Sequence, residues 1–320
     1  MAYIDVFNGD ADGLCALVQL RLHHCVDSLC ITGVKRDIAL LDRVEATAGD
    51  TVTVLDISLD KNRDALCRLL ATGATIHYFD HHFAGTIPQA PNFTAHIDTA
   101  ADVCTSLLVN ACLNDFSPAW AVAGAFGDNL DQAARSLAAR HTFPEEEIQA
   151  LAELGTLLNY NAYGETEADL HIRPLDLFRH LLQARSPLTF MHDDPVFRRL
   201  REGYHHDMEQ AGQVSPELLT PSHALYIFPD TTWARRASGV LANRLASAHP
   251  QRAHALLTRR RQGGYLVSVR APLNDKRGAD ALCRRFPSGG GRAAAAGINH
   301  LPEEQLDAFI AAFTAAFRSE

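Results

Sequence analysis

The sequence predicts an α/β protein: a doubly wound, mostly parallel sheet, then a run of helices, then a second and smaller α/β domain. Three observations predict it. Short apolar, β-branched runs alternate with helical segments of roughly a dozen residues through the first part of the chain. From Val103 to about Ala211 the apolar spacing is mostly helical. After a break rich in Pro and Ser, strands and helices alternate again.

The elements follow in order. "AYIDVF" reads as a buried strand, and Gly13 to His24 has the apolar spacing of a helix. "SLCITGV" is the next strand, with a helix expected around Ile38 to Thr47. "TVTVLDI" is a third strand, and "LDKNRDALCRLLATG" a helix closed by Gly73 in C-cap position. "ATIHYF" is a fourth strand. Helices are expected over "CTSLLVNACL", "PAWAVAGAFGD", "EEEIQALAELGTLLNY", "PLDLFRHLLQ" and "PVFRRLREGYHHDMEQA". "QVSPELLTPSH" places a linker at 213–222 between domains 1–212 and 223–320. Beyond it, "ALYIF", "AHALLTR" and "GYLVSVR" read as strands. Ser238 to Ala248 reads as a helix, and "PEEQLDAFIAAFTAAF" as a closing amphipathic one.

Composition excludes several classes. The 320 residues are 47% hydrophobic and 21% charged, which is globular composition with room for two cores. No apolar run is long enough to span a bilayer, and no basic region precedes an apolar stretch at the N-terminus, so neither a membrane partner nor a secretory signal is expected. The seven cysteines are scattered and never in C-x-x-C spacing, which argues against a disulfide framework or a structural zinc site and for a reducing cytoplasm. Cys15, Cys67 and Cys104 read as small buried hydrophobes. From Ser222 onward 14 basic residues face 7 acidic ones, a balance of +7; the remainder carries −16, which gives the net −9. Acids in front can gather metal cations, while arginines behind can hold an anion.

The acids recur at one structural place. Asp10 and Asp12 follow the first strand, Asp56 follows "TVTVL", and Asp80, His81 and His82 follow "ATIHYF". The carboxyl ends of neighbouring parallel strands lie along one edge, where ligands bind. Asp128, in "GAFGDNL", is a further candidate. Such a cluster repels itself unless cations occupy it, and oxygen ligands with imidazole suit Mn²⁺ or Mg²⁺. Two such metals are the standard arrangement for hydrolysing phosphate esters, where they activate a water and neutralise phosphoryl oxygens.

At these residues the sequence resembles the DHH phosphoesterases. "NGDADG", "VLDIS", "FDHH" and "GAFGDN" are similar to their four ordered motifs, and "SGGGRAAAAGIN" to the glycine-rich signature of their DHH-associated C-terminal domain. The resemblance implies two divalent ions, usually Mn²⁺ with Mg²⁺ as the alternative. It implies Asp10 on one metal, Asp12 on the other, Asp56 bridging them, and His81 and Asp128 completing the second site. Asp80 would orient an imidazole, and His82 would lie against the scissile phosphate. Arg270, Gly289, Gly290, Gly291 and Arg292 would bind substrate. Two positions depart from the pattern: Asn8 stands where many relatives have an acid, and Arg292 where they have a histidine. An arginine fork still matches phosphate oxygens.

Other candidates read differently. Asp98 is a cap or a neighbour of the site. His205 and His206 with Asp207, like His23 and His24, read as solvated helix faces. Arg259, Arg260, Arg261, Arg284 and Arg285 read as charged surface or as steering for an anion. With neither a long basic stripe nor an aromatic single-strand platform, a long nucleic acid is not expected. The resemblance implies a cytoplasmic, nanoRNase-like phosphodiesterase acting on short linear oligoribonucleotides, diribonucleotides such as pGpG above all, with room for a homodimer. The alternatives are a cyclic-dinucleotide phosphodiesterase, a polyphosphate or pyrophosphate hydrolase, and a non-catalytic nucleotide-binding regulator.

Overall fold

In the computed structural model, which describes residues 1–318, the chain divides into two units, Met1–Gly203 and Tyr204 onward. The first opens with β1 (Tyr3–Phe7), α1 (Ala11–His23), β2 (Ser28–Ile31), β3 (Thr51–Leu55), α2 (Arg63–Ala71), β4 (Thr75–Asp80) and β5 (Phe93–Ile97). The five strands form one sheet in the order β2-β1-β3-β4-β5, and every neighbouring pair is parallel. Parallel strands are covered on both faces, which is why neighbours such as Val6 and Phe7, Val54 and Leu55, and Tyr78 and Phe79 are buried without alternation. One face packs against α2 through Leu66 and Leu69. Asp5, wholly buried in β1, is an exception to the apolar rule. Arg21 grips it through Nε at 2.7 Å and Nη2 at 2.6 Å, and the Ser28 hydroxyl donates at 2.6 Å.

Seven helices follow: α3 (Thr105–Cys112), α4 (Pro118–Gly127), α5 (Asp131–Arg140), α6 (Glu145–Asn161), α7 (Pro174–Ala184), α8 (Pro187–Asp193) and α9 (Pro195–Gly212). The division at Gly203 and Tyr204 falls inside α9, ahead of residues 213–222. Where α4 crosses α1 and α6, glycines let the helices touch: a Cβ on Gly127 would lie 2.2 Å from Ala11 Cβ, and one on Gly155 would lie 2.2 Å from Ala123 O.

The second unit continues with β6 (Leu218–Leu219), β7 (His223–Phe228), α10 (Thr232–Ala248), β8 (Ala253–Arg259), β9 (Tyr265–Arg270), α11 (Ala279–Cys283), β10 (Gly289–Gly291), β11 (Ala295–Leu301) and α12 (Leu306–Ala316). Its sheet runs β10-β11-β9-β8-β7-β6, with β7 and β8 parallel and the other pairs antiparallel. Leu225, Val267, Val269 and Ile298 form a core with Phe309 and Phe313 of α12.

Several expectations need correction. The helix expected around Ile38 to Thr47 is only a 3₁₀ turn, Leu40–Arg43. Side chains take its backbone partners: Asn62 donates to Ile38 O and accepts from Leu41 N, and Arg68 donates to Leu41 O and Val44 O. Cys67 is exposed, because α2 buries Ala65, Leu66 and Leu69 and turns the residue between them outward. Cys15 and Cys104 are buried, and all seven cysteines are free. α10 begins at Thr232, six positions before Ser238, because Trp233 to Ala237 continue its packed face. Among the described residues no helix is long and apolar enough to cross a membrane.

Candidate metal centre

The parallel sheet delivers three of its strand ends to one place. The chain leaves β1 at Phe7, turns through Asn8 and Gly9, and enters α1 with Asp10 as its N-cap. Asp10 Oδ1 accepts from Asp12 N at 3.1 Å and Gly13 N at 3.2 Å. Gly13 is required here, since a Cβ would lie 2.2 Å from Asn8 O. Asp12 caps a second helix: Oδ2 accepts from Thr105 N at 2.7 Å, and Oδ1 from Ser106 N at 2.7 Å and Ser106 Oγ at 2.5 Å. The N-terminus of α3 thus favours the negative charge that α1 presents to it.

After β3, Asp56 takes a left-handed backbone with φ 59°, a conformation Asp and Asn reach more easily than other non-glycine residues. Its Oδ1 accepts from Thr105 Oγ1 at 3.3 Å and lies 3.5 Å from His81 Nε2. Buried Asp80 ends β4. Its Oδ1 accepts from His81 N at 2.9 Å, His82 N at 3.2 Å and His82 Nδ1 at 2.7 Å. Asp128, the C-cap of α4, brings Oδ2 to 3.8 Å from His81 Nε2. Donor atoms of Asp56, His81 and His82 all lie within 4.8 Å of one another.

The electrostatics are those of a crowded anionic pocket. Burial, and then the charges of Asp10 and Asp12, push the Asp56 carboxyl well above its usual range. Burial also raises Asp128, against the pull of Lys35 and with the push of Asp12. Burial disfavours the charged form of His81, but its hydrogen bond to Asp56 and that residue's charge, with Asp12 and Asp128 behind, outweigh it and raise His81 to about 10. The buried Asp56 carboxylate, the half-buried Asp128 carboxylate and one imidazole form a donor set that fits a Mn²⁺ or Mg²⁺ ion.

Sequence reasoning missed four contributors. Lys35 follows β2, the one strand of this edge whose end carries no acid, and its ammonium pairs with Asp10 Oδ2. Burial lowers its proton affinity, but Asp10 more than restores it, so Lys35 stays charged; against burial, the same pairing holds Asp10 below the usual carboxylate range. Lys35 Nζ also donates to Asn159 Oδ1 at 2.9 Å. Thr105 and Ser106 bind Asp12. The signal is positional: "GVKRD" follows a strand at the same sheet edge as the acids.

Asn8, one of the two departures from the motif pattern, is buried: its Oδ1 accepts from Asp10 N at 3.2 Å in a local turn, and its Nδ2 donates to Lys35 O at 3.3 Å. Asp98 is exposed and caps a turn through Ala100 N, ahead of α3. His205 and His206 are exposed, whereas Asp207 turns inward to Arg236 Nε at 2.7 Å.

The residues expected to bind substrate all lie in the second unit. Across its sheet, His254 on β8 pairs with Arg270 on β9, Arg270 pairs with Ala295 on β11, and Ala295 exchanges backbone hydrogen bonds with Arg292. Arg270 and Arg292 therefore share one cross-strand row on one face, two strands apart. Arg270 Nε donates to Asn243 Oδ1 at 2.8 Å, and Arg292 is exposed at the end of β10. Gly289 could not carry a side chain, because a Cβ would lie 1.9 Å from Cys283 O. Gly291 has φ 139°, and Gly290 faces open space.

No family model and no curated protein sequence matches the chain. Solved structures do. The chain is similar to the manganese-bound exonuclease RecJ, with TM-score 0.60 and 18% identity over 98% of this chain and 89% of that one. The chain has the fold of the DHH phosphoesterases. A pGpG-specific phosphodiesterase, PggH from Vibrio cholerae, matches with TM-score 0.57 and 16% identity over 98% of both chains. An exopolyphosphatase-related protein from Bacteroides fragilis matches with TM-score 0.52 and 14% identity, over 98% of this chain and 91% of that one. The DHH fold is the one the motifs imply, and it spans both units.

Proposed function

We propose that the protein is a DHH-family, divalent-metal-dependent phosphodiesterase that cleaves very short linear RNA in the cytoplasm, chiefly diribonucleotides such as pGpG, to mononucleotides. The observation that carries the reading is the convergence of Asp12, Asp56, His81 and Asp128, from two strand ends and two helix ends, into one largely buried cluster. Asp56, His81 and Asp128 would hold a divalent ion, which when bound would supply a Lewis acid for a phosphoryl oxygen and for water.

The chain's own residues do the rest. Asp80 accepts from His82 Nδ1, which fixes the ring's tautomer and orientation and leaves Nε2 to meet a phosphoryl oxygen. Thr105 and Ser106 hold Asp12, so the acid needs no rearrangement when a cation arrives. Arg270 and Arg292, with Gly290 facing open space, suit a terminal or flanking phosphate.

Phe83 favours a nucleotide over bare polyphosphate. It directly follows His82 and is 74% exposed, although an aromatic ring of that size is normally buried. Its loop is fixed: Arg63 donates to Ala84 O and Thr86 O, both at 2.5 Å, on either side of Gly85 at φ 60°. A ring held out beside the centre is a stacking surface for one base, worth about 1–3 kcal/mol. Phe83→Ala is expected to raise KM for pGpG roughly tenfold and leave hydrolysis of polyphosphate unchanged, with Phe83→Trp restoring KM. Equal KM for wild type and Phe83→Ala would remove the ring from the substrate path.

The reading is tested by assaying pGpG, pApA, cyclic-di-GMP, 3′-phosphoadenosine-5′-phosphate and polyphosphate with Mn²⁺. The highest kcat/KM is expected for the linear dinucleotides. Activity on polyphosphate alone would overturn the proposal, as would tight dinucleotide binding with no turnover in saturating Mn²⁺.

A further inference from the structure

We propose that the Lys35 ammonium is a fixed cation of this centre, standing against Asp10 in the place of a second divalent ion, so that the protein binds one divalent ion per chain. Within the metal-dependent reading above, this sets how many ions the centre holds.

The argument begins with how firmly Lys35 is placed. Its backbone N–H donates to Ala162 O at 3.0 Å, and its carbonyl accepts from Asn8 Nδ2 at 3.3 Å. Gly9 lets the strand end bearing Lys35 come close, since a Cβ there would lie 2.2 Å from Gly33 O. The side chain then spans to Asp10 Oδ2 and to Asn159 Oδ1 at 2.9 Å, with the Tyr163 ring 5.7 Å from Nζ. A solvated lysine that happened to lie near an acid would not need a buried asparagine on its far side. Asn159 is buried on α6 and offers its carbonyl oxygen to the ammonium.

Asp10 bears on Asp56 as Asp12 does, but Asp10 alone among these acids is ion-paired with the Lys35 ammonium. Asp56 and Asp128 lie 3.5 and 3.8 Å from His81 Nε2, and Thr105 donates to both Asp56 and Asp12, so a cation there relieves them. Asp10 already has an ammonium against its Oδ2. A divalent ion on its free edge would have to sit beside an ammonium or expel it, breaking the bonds to Asp10 and Asn159 together. An ammonium differs from a metal in what it can do: it donates and does not coordinate. Two of its N–H groups are engaged, and none of the described residues accepts the third, which leaves it for a phosphoryl oxygen. Positive charge then lies on both sides of the scissile group, one side supplied by the exchangeable ion and the other by the chain.

The test is manganese content without substrate. Full-length protein equilibrated in excess MnCl₂ and freed of unbound ion is measured by elemental analysis and electron paramagnetic resonance. One Mn²⁺ per chain, with the six-line spectrum of an isolated ion, is expected. Lys35→Ala is expected to take up a second ion and show spin coupling, while Lys35→Arg stays at one. Two ions in the wild type overturn the inference, and so does a ratio that stays at one in Lys35→Ala. The wild-type ratio stands as a test even where a variant fails to fold. Because no substrate is present, failure here is separate from failure of the phosphodiesterase assignment.

Discussion

Asp56→Asn is expected to lower kcat for a linear dinucleotide by at least about 10³-fold while leaving the fold intact. The magnitude follows from losing a cation's stabilisation of the transition state, about 4 kcal/mol at 1.36 kcal/mol per tenfold. Asparagine is the right replacement because position 56 has φ 59°. Alanine there would add backbone strain to the loss of charge and confuse the two. The amide keeps the volume and the contact with Thr105 Oγ1, and it removes a carboxylate that Asp10 and Asp12 repel. The metal-free variant should therefore melt no lower than the wild type. Manganese at a hundred times its Kd should stabilise the wild type by about 2.7 kcal/mol, and the variant far less. Wild-type turnover in Asp56→Asn, or an undiminished manganese shift in melting, would remove Asp56 from the centre.

Gly127→Ala is expected to carry a large stability cost for a single added methyl group. The new Cβ would meet Ala11 Cβ at 2.2 Å and Gly155 O at 2.9 Å, and neither can move without separating α1 or α6 from α4. Overpacking of this kind costs about 1–3 kcal/mol, or roughly 3–10 °C in Tm for a unit of this size. Activity should fall further than stability explains, because Asp128 is the next residue and Asp10 precedes Ala11. Gly212→Ala is the control, since nothing lies within 4 Å of a Cβ there. Thermal melting followed by turnover at a temperature where both variants are folded separates the two effects. A Gly127→Ala protein with wild-type Tm would show that the three helices can part.

What could be read from the sequence was what local chemistry dictates. β1, β3 and β4, the central strands, announce themselves as apolar runs, and Asp10, Asp56 and Asp80 could be placed at one sheet edge from strand polarity alone. β5 escaped because "FTAHI" is a half-exposed edge strand with no strong run, and β10 because three glycines carry no side-chain pattern. β11, "AAGINHL", draws its strand character from pairing with β9, not from its own residues. α5 and α8 are short, and α5 buries only Ala134, Leu137 and Ala138. Lys35 and Asn159 escaped for a different reason. Residues 35, 10 and 159 meet only in three dimensions, and nothing about a lone lysine or asparagine marks it as facing an acid.

Anomalous scattering at the manganese edge, from crystals of the full chain grown with MnCl₂, tests the central claim most directly. A peak is expected within about 2.0–2.4 Å of Asp56, His81 and Asp128 oxygen or nitrogen atoms. Density with no peak at those three residues, or manganese bound only elsewhere on the chain, would contradict a metal centre at the strand ends.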